Sequence, residues 1–533
     1  MRPPAAASAA KKSAVAVAIG ALALLTYLQF PGHTWLQQDS QIYAPILEHR
    51  FDAQVLRNDI VVQHPHVAFT LYDEAALFLR GISGQSIHSV LAFQQIATRA
   101  LGIWGLYLMA AALGLSAAPA MTVVAICSLG AAIAGPAVLT FEYEPTPRAF
   151  AVPLLLLAIG LTAHRRYSWA AVAAAGAFLY HAPTTWPFLA LFVPLACGRR
   201  QWRALAILAI AAATLLIAAR GQEPQTLFGV LTPLQEQLQR MRAAYVWVSL
   251  WPAALAVHWS IVGACAVAAF WLLRRELPLD FAVFALGLPV LGILSVPVSW
   301  LLLDQWKWAI VPQVQPMRAL LFTALFMQFL TACAGVRAAA ERRWLTVFGW
   351  LAAAYLLPLQ ADVTKGWSIQ RTVVLIALAL LTAALCGKAP RFAPATALAA
   401  FFAIPILGSV VNYPKLHTPA LTGLGNWARS STSLDAVFLF PGAAHGLDPG
   451  IFRTEALRSV YVDWKGGGQV NYRRDFATEW WLRWQQTMQG FHAADLPEYE
   501  ALGIRYIVLP PKDRLPQAPI FQNAGFVVYE LAR

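Results

Sequence analysis

KKSAVAVAIGALALLTYLQFPGHTWLQQDSQIY, residues 11–43, decides how the rest of the chain is read. Two lysines precede the apolar run AVAVAIGALALLTYLQF, which as a helix is long enough to approach the roughly 30 Å of a hydrocarbon core. The run passes into Phe30 and Pro31 with no small-residue cleavage site, so it reads as a retained anchor rather than a signal peptide. Beyond it lies a polar segment that holds Asp39. The same alternation continues along the chain. Apolar stretches of roughly 16 to 25 residues recur as far as Val411, each long enough for a spanning helix. One set of connecting loops carries Arg2, Lys11, Lys12, Arg165, Arg166, Arg199, Arg200, Arg203, Arg274, Arg275, Arg337, Arg342, Arg343, Lys388 and Arg391. By the positive-inside rule these loops are cytoplasmic. Of the 26 acidic residues, all but Glu276, Asp280 and Glu341 fall on the opposite side.

Composition agrees with this reading. Hydrophobic residues make up 59% of the 533 positions and charged residues 12%, against roughly 25% charged in a soluble domain. The net charge of +13 would suggest a nucleic-acid partner in a soluble protein. Fifteen cytoplasmic basic residues less three acids already account for +12 of it, so the charge reports topology and no nucleic-acid binding is expected. Cys127, Cys197, Cys265, Cys333 and Cys386 all lie in apolar stretches, which leaves no disulfide framework or cysteine metal site to read.

About thirteen spans follow, centred near Ala21, Tyr107, Ala131, Leu155, Ala174, Leu191, Ile210, Val262, Leu291, Leu325, Ala352, Leu378 and Phe401. The pair on either side of Tyr180 and His181 has one bent element as its alternative. An odd count puts the C-terminus outside. The expected fold is an all-α polytopic membrane protein, residues 1–411, with a C-terminal periplasmic α/β domain, residues 412–533. A large first outer loop, 31–88, should carry interfacial helices such as AFTLYDEAALFLRG. Residues 220–248 and 304–316 form two further outer loops. In the tail, DAVFLF, SVYVDW, IRYIVL and GFVVYE read as strands and TEWWLRWQQTMQ as a helix.

The chemistry-bearing side chains sit on the outer side. Asp39, in QQDSQIYAPIL, lies about ten residues past the first span, where a carboxylate meets both water and lipid headgroups; its bland alternative is a helix cap. FEYEPTPRAF brings Glu142 and Glu144 ahead of Arg148. Fixed positive charge on the same side is available from Arg99, Arg148, Lys307 and Arg318. Arg99 sits in an apolar stretch, where snorkelling competes with function. Lys307, between Trp306 and Trp308, also reads as an interfacial anchor. His181 in YHAPTTWP could meet substrate or satisfy loop carbonyls. Lys465, followed by Gly466, Gly467 and Gly468, could cradle a phosphate or simply end a strand in a glycine turn. Trp480, Trp481 and Trp484 could stack on a sugar or pack in a core. No cofactor is implied; a divalent metal on Asp59, His64 and His66 competes with a polar turn at the membrane surface.

The segment Asp39-Ser40-Gln41-Ile42-Tyr43 resembles the first-outer-loop pattern Asp-Glu-x-x-Tyr of the GT-C superfamily, integral-membrane glycosyltransferases that use polyprenyl-phosphate sugar donors, with Ser40 standing where that pattern has Glu. A second acid in an early outer loop, loosely matched by Glu142 or Glu144, often joins the first in that family. The tail, with Phe452, Arg453, Arg458, Lys465, Trp480 and Arg483, is similar to the outer domains of GT-C-like bacterial proteins. The resemblance implies a multi-pass enzyme of the bacterial inner membrane that transfers a sugar, with inversion, from a polyprenyl-phosphate donor to a glycan, lipid or protein acceptor. Asp39, Glu142 and Glu144 would be the catalytic acids, and Tyr43, Arg99, Arg148, His181, Lys307, Arg318 and Lys465 would bind substrate. The alternatives are a transporter or flippase of lipid-linked sugars, which favours repeats and midplane polar groups that this sequence lacks, an O-antigen ligase or polymerase, and a non-catalytic scaffold.

Overall fold

The computed structural model describes residues 5–28, 35–65, 69–219, 229–359, 369–407 and 413–531. It is mostly helical up to Leu407 and mixed beyond Tyr413. Four helical stretches are long and apolar enough to cross a membrane: Ala253–Leu273, Leu279–Gln305, Val311–Ala340 and Ile369–Lys388. Shorter apolar helices stand at Ser13–Leu28, Ala117–Ser128, Pro147–Ala163, Trp202–Ala218 and Trp344–Pro358. Large side chains such as Trp202, Ile210, Leu216, Val257, Trp271 and Leu345 point outward from these helices, as expected of a surface solvated by lipid. The chain is a membrane protein.

Every expected span centre falls inside a helix except Ala131. There the helix Ala117–Ser128 ends early, because Gly130 takes a left-handed conformation (φ 77°) and turns the chain into a small antiparallel hairpin, β1 (Ala132–Ile133) with β2 (Val138–Leu139). The hairpin leads directly into the loop carrying Glu142 and Glu144.

The pair of spans around His181 forms the continuous element Tyr167–Gly198, broken at His181, whose backbone is non-helical (φ −158°, ψ 83°). A straight helix of 32 residues would reach about 48 Å. Instead both of its ends meet one carboxylate: Tyr167 Oη donates to Asp280 Oδ2 (2.5 Å), and Arg199 Nε donates to Asp280 Oδ1 (3.0 Å). The element therefore doubles back at His181. Arg165 lies 3.7 Å from the same carboxylate. The other two acids on the basic side are also paired, Glu276 with Arg337 (2.7 Å) and Glu341 with Arg343. All three exceptions to the charge asymmetry are thus neutralised by the basic residues around them.

At the opposite end, the first outer region supplies Ser40–Phe51 and Tyr72–Ser83. The latter buries Tyr72 and Ala76 and exposes Phe78 and Ile82, the two-faced pattern of a helix lying at an interface. The tail folds a five-stranded sheet from β3 (Val437–Leu439), β4 (Ser459–Val460), β5 (Tyr506–Leu509), β6 (Phe521–Gln522) and β7 (Val527–Glu530), in the order β4-β3-β5-β7-β6. β3 is parallel to both neighbours; β5–β7 and β7–β6 are antiparallel. The four expected strands and the helix Arg474–Thr487 are present. β6, only two residues long, carries no readable alternation.

The sheet shares its core with the first outer region. Trp35, Ala44, Leu47 and Tyr72 from the first outer region share one apolar cluster with Phe438, Ile451, Phe452 and Tyr506, and Ile42, Ile46, Ile60 and Val61 share another with Leu439, Val470 and Trp480. Between the clusters lies an ion cluster: Arg453, fully buried, donates from Nε to Asp59 Oδ2 (2.7 Å) and from Nη2 to Asp463. Asp59 also accepts from the amides of Val61 (3.0 Å) and Val460 (2.9 Å). Apolar packing thus continues across the 411/412 boundary.

Candidate functional site

Asp39 is the N-cap residue of the helix Ser40–Phe51, yet its side chain makes no capping hydrogen bond. A cap carboxylate ordinarily accepts from the amides two or three residues ahead. Here another carboxylate does comparable work. Glu144 Oε1 accepts from the backbone of Gln37 (2.6 Å) and Gln38 (2.7 Å) and from Ser40 Oγ (2.8 Å), and Oε2 accepts from Ser40 N (3.2 Å). With donors around the helix start engaged by Glu144, Asp39 can face away from them. Ser40, at the position where the resembled pattern has Glu, is the residue whose hydroxyl grips Glu144.

The Asp39 carboxylate lines a cavity of about 180 Å³, surrounded by protein yet with 41% of its side-chain surface open. Lys465 Nζ donates to its Oδ1 at 2.8 Å. Burial pushes this carboxyl up, but Lys465, with Arg148 and Arg318 nearby, outweighs burial and holds it well below the usual carboxylate range. Glu144 goes the other way: burial lifts it to about 6, because its donors and Lys465 do not fully offset the desolvation.

Three arginines share the cavity with Lys465. Arg148, at the start of Pro147–Ala163, is oriented by Glu142, whose Oε1 accepts from Arg148 Nε at 2.7 Å and from Leu139 N at 3.0 Å. Arg318 sits in the tight turn Pro316–Ala319, near the Tyr245 ring at 5.7 Å; its Nε is buried without a hydrogen-bond partner among the described residues. Arg242 lies 3.8 Å over the Trp464 ring and donates from Nη2 to the Trp464 carbonyl, while its Nε is likewise unpartnered. Tyr43, His181, Tyr245 and Tyr472 complete the walls. His181 Nδ1 accepts from Thr184 N at 3.2 Å. One carboxylate among four cations makes a cavity of net positive charge, suited to an oligoanion such as a phosphate ester.

Of the residues singled out from sequence, Asp39, Tyr43, Arg148, His181, Arg318 and Lys465 come together here. Glu142 and Glu144 are not in the lining; they hold Arg148 and the Asp39 turn. Arg99 is buried and donates to the Glu142 carbonyl, so it secures the same loop from behind. Lys307 is elsewhere, donating to Glu236 Oε1 at 2.6 Å beside Trp247. Two of the three glycines after Lys465 are required by packing: a Cβ on Gly466 would come within 2.6 Å of Asp463 Oδ1, and one on Gly467 within 2.4 Å of Trp480 and 2.9 Å of Arg242 Nε. Trp480 is fully buried, its Nε1 donating to the Asp463 carbonyl at 2.9 Å, which makes it core. His64 bonds Asp475 (3.2 Å) and Glu479 (3.0 Å) of the tail. His66 lies outside the described residues, and no group of three or more metal-ligating side chains occurs among those described. Sequence reasoning missed Arg242, Tyr245 and Tyr472. The available signal for Arg242 was an arginine on the face that the positive-inside rule leaves poor in basic residues.

Residues 420–487 match a family described as a domain of unknown function, DUF6798. No curated protein sequence matches the chain. Among solved structures it is similar to ArnT from Cupriavidus metallidurans in the apo state, with 12% identity, 98% of each chain covered and a TM-score of 0.47. It is also similar to the arabinofuranosyltransferase AftD from Mycobacteria, with 16% identity over 94% of this chain and 35% of that one and a TM-score of 0.41. A third is the archaeal oligosaccharyltransferase AglB from Archaeoglobus fulgidus in complex with an inhibitory peptide and a dolichol-phosphate, with 12% identity over 93% and 69% and a TM-score of 0.38. At these scores and identities none of the three assigns an activity or a residue role to this chain.

Proposed function

We propose that this protein is a GT-C-type glycosyltransferase of the bacterial inner membrane, with about thirteen spans and a periplasmic tail, which moves a sugar from a polyprenyl-phosphate donor to an acceptor at the outer face. The observation that carries the reading is the Asp39 carboxylate, left without a capping role by Glu144 and opening onto a cavity lined by Arg148, Arg242, Arg318 and Lys465. In the proposed reaction Asp39 takes the proton of an acceptor hydroxyl as its oxygen attacks the anomeric carbon. The carbon–oxygen bond to phosphate breaks, its electron pair leaves with the polyprenyl phosphate, and the configuration inverts. The four cations stabilise the charge that develops on the phosphate. When the donor phosphate enters, it offers Lys465 a second anion, which loosens its hold on Asp39 and raises the basicity of that carboxylate.

The test is donor turnover by the purified full-length chain. Release of polyprenyl phosphate in step with sugar transfer is expected from the wild type and not from Asp39→Asn; no release from any polyprenyl-phosphate pentose or hexose would sink the reading. Topology is tested separately by thiol labelling. Ser433→Cys, at an exposed tail position, should react with a membrane-impermeant reagent in intact spheroplasts, whereas the exposed native Cys197, beside the basic end, should react only after lysis.

A further inference from the structure

A second and larger cavity, about 740 Å³, adjoins the first, and Tyr472 lines both. Its walls come from two sources. The second and third outer loops are tied together by Leu231 N to the Lys307 carbonyl (2.9 Å) and Ala309 N to the Gly229 carbonyl (2.9 Å), and the tail supplies Val470–Asp475 and the outer face of the helix Arg474–Thr487. Its chemistry differs from that of the Asp39 cavity. Charges in its lining balance, with Arg473 and Arg474 against Asp475 and Glu479, so net charge attracts neither anions nor cations. The remaining polar groups are mainly amides, from Gln235, Gln239, Gln313 and Asn471, interspersed with small apolar surfaces. Gln239 and Asn471 are 2% and 3% exposed, and the side-chain carbonyl oxygen of each lacks a hydrogen-bond partner among the described residues. Buried acceptors left unsatisfied are costly, by about 1–3 kcal/mol each in general. Two in one wall point to a ligand that brings donors.

We infer that this cavity is the acceptor site and takes a neutral, hydroxyl-rich oligosaccharide, whose hydroxyls donate to Gln239 and Asn471 and whose terminal residue passes Tyr472 toward Asp39. Carbohydrate suits such a wall because one ring presents hydroxyl donors at its edge and C–H surface on its face. The assignment of the cavity as an acceptor site rests on the transferase reading above, whereas carbohydrate binding in it does not.

The two are separated by measuring binding without turnover. Full-length protein in detergent is titrated with neutral tetrasaccharides of glucose, mannose, galactose and arabinose, read by saturation-transfer NMR. At least one should bind the wild type and should bind Asp39→Asn equally well. Asn471→Leu and Gln239→Leu should each weaken that binding about tenfold, the equivalent of one good hydrogen bond to a buried group. Thr478→Trp fills the cavity from an exposed rim position without touching the core, and should abolish binding even where the leucine variants fold poorly. Failure of every tetrasaccharide to bind the wild type, or binding that Thr478→Trp leaves unchanged, overturns the inference. Binding blocked by Thr478→Trp in a protein that cleaves no donor keeps the carbohydrate site and removes the transferase reading instead.

Discussion

The first outer region reaches the tail through two aspartates at helix starts, and they are treated in opposite ways. Asp59 caps its helix, accepts from Arg453 and two amides, and is fully buried. Asp39 caps nothing, has one lysine, and keeps two-fifths of its side chain open. Both are acids at an N-terminus with a cation from the tail; the difference lies in how many donors surround them. A saturated carboxylate has no capacity left for a reactant and holds structure. One spared its local duties by a neighbour is available for chemistry. Glu144 is the residue that separates the two cases.

The contrast can be broken most sharply at Asp39. Asp39→Asn should leave the melting temperature near the wild-type value while lowering sugar transfer by about 10²–10⁴, the usual range for losing a general base. Transfer close to wild type in folded, donor-saturated protein would remove the catalytic assignment. The reverse is expected at Asp59. Removing one partner of a buried ion cluster costs about 3–5 kcal/mol, so Asp59→Asn should lower thermal stability strongly while the fraction that stays folded turns over normally. By the same logic, residues 415–533 expressed alone should lack a cooperative transition, since their core is completed by Ile42, Ile46, Ile60 and Val61.

Glu144 sharpens the comparison through pH. Folding raises its carboxyl from 4.5 to about 6. The folded state therefore favours the protonated form, and the stability this group contributes is complete below pH 4.5 and lost as pH rises through about 6. Glu144→Gln, uncharged at every pH, should flatten the wild-type fall in melting temperature across that window; an unchanged slope would mean that another group sets it. The smallest effect is expected at Lys307. Its partly exposed pair with Glu236 belongs to a class worth about 0–1 kcal/mol, so Lys307→Ala should barely change stability, and transfer should stay as in the wild type because Lys307 does not line the Asp39 cavity.

Much of the framework was legible because membranes impose it. Apolar length placed twelve of the thirteen expected span centres inside helices, and short runs rich in β-branched and aromatic residues located β3, β4, β5 and β7. The hairpin at Ala131 was hidden because a glycine in an apolar run does not disclose its φ angle. The site was legible in part. Asp39, Arg148, Arg318 and Lys465 could be nominated by charge and side, since ionisable groups near a membrane need a reason to be there. The division of labour among Asp39, Glu142 and Glu144 could not be read, because three acids in two loops look alike until it is known which amides each one meets. Arg242 and Tyr472 come from loops whose convergence is a property of the tertiary fold alone.

The bond between Lys465 and Asp39 joins residues 426 apart in sequence. During synthesis at about 5–20 residues per second, Asp39 would wait on the order of half a minute or more for its partner to be made, and longer for the tail to fold against it. Until then the cavity lacks a wall and Lys465, so an unfinished chain would present Asp39 with only three of the four cations in place. Completion of the polypeptide would itself act as the licence to react, and a truncated product would be inert rather than unregulated.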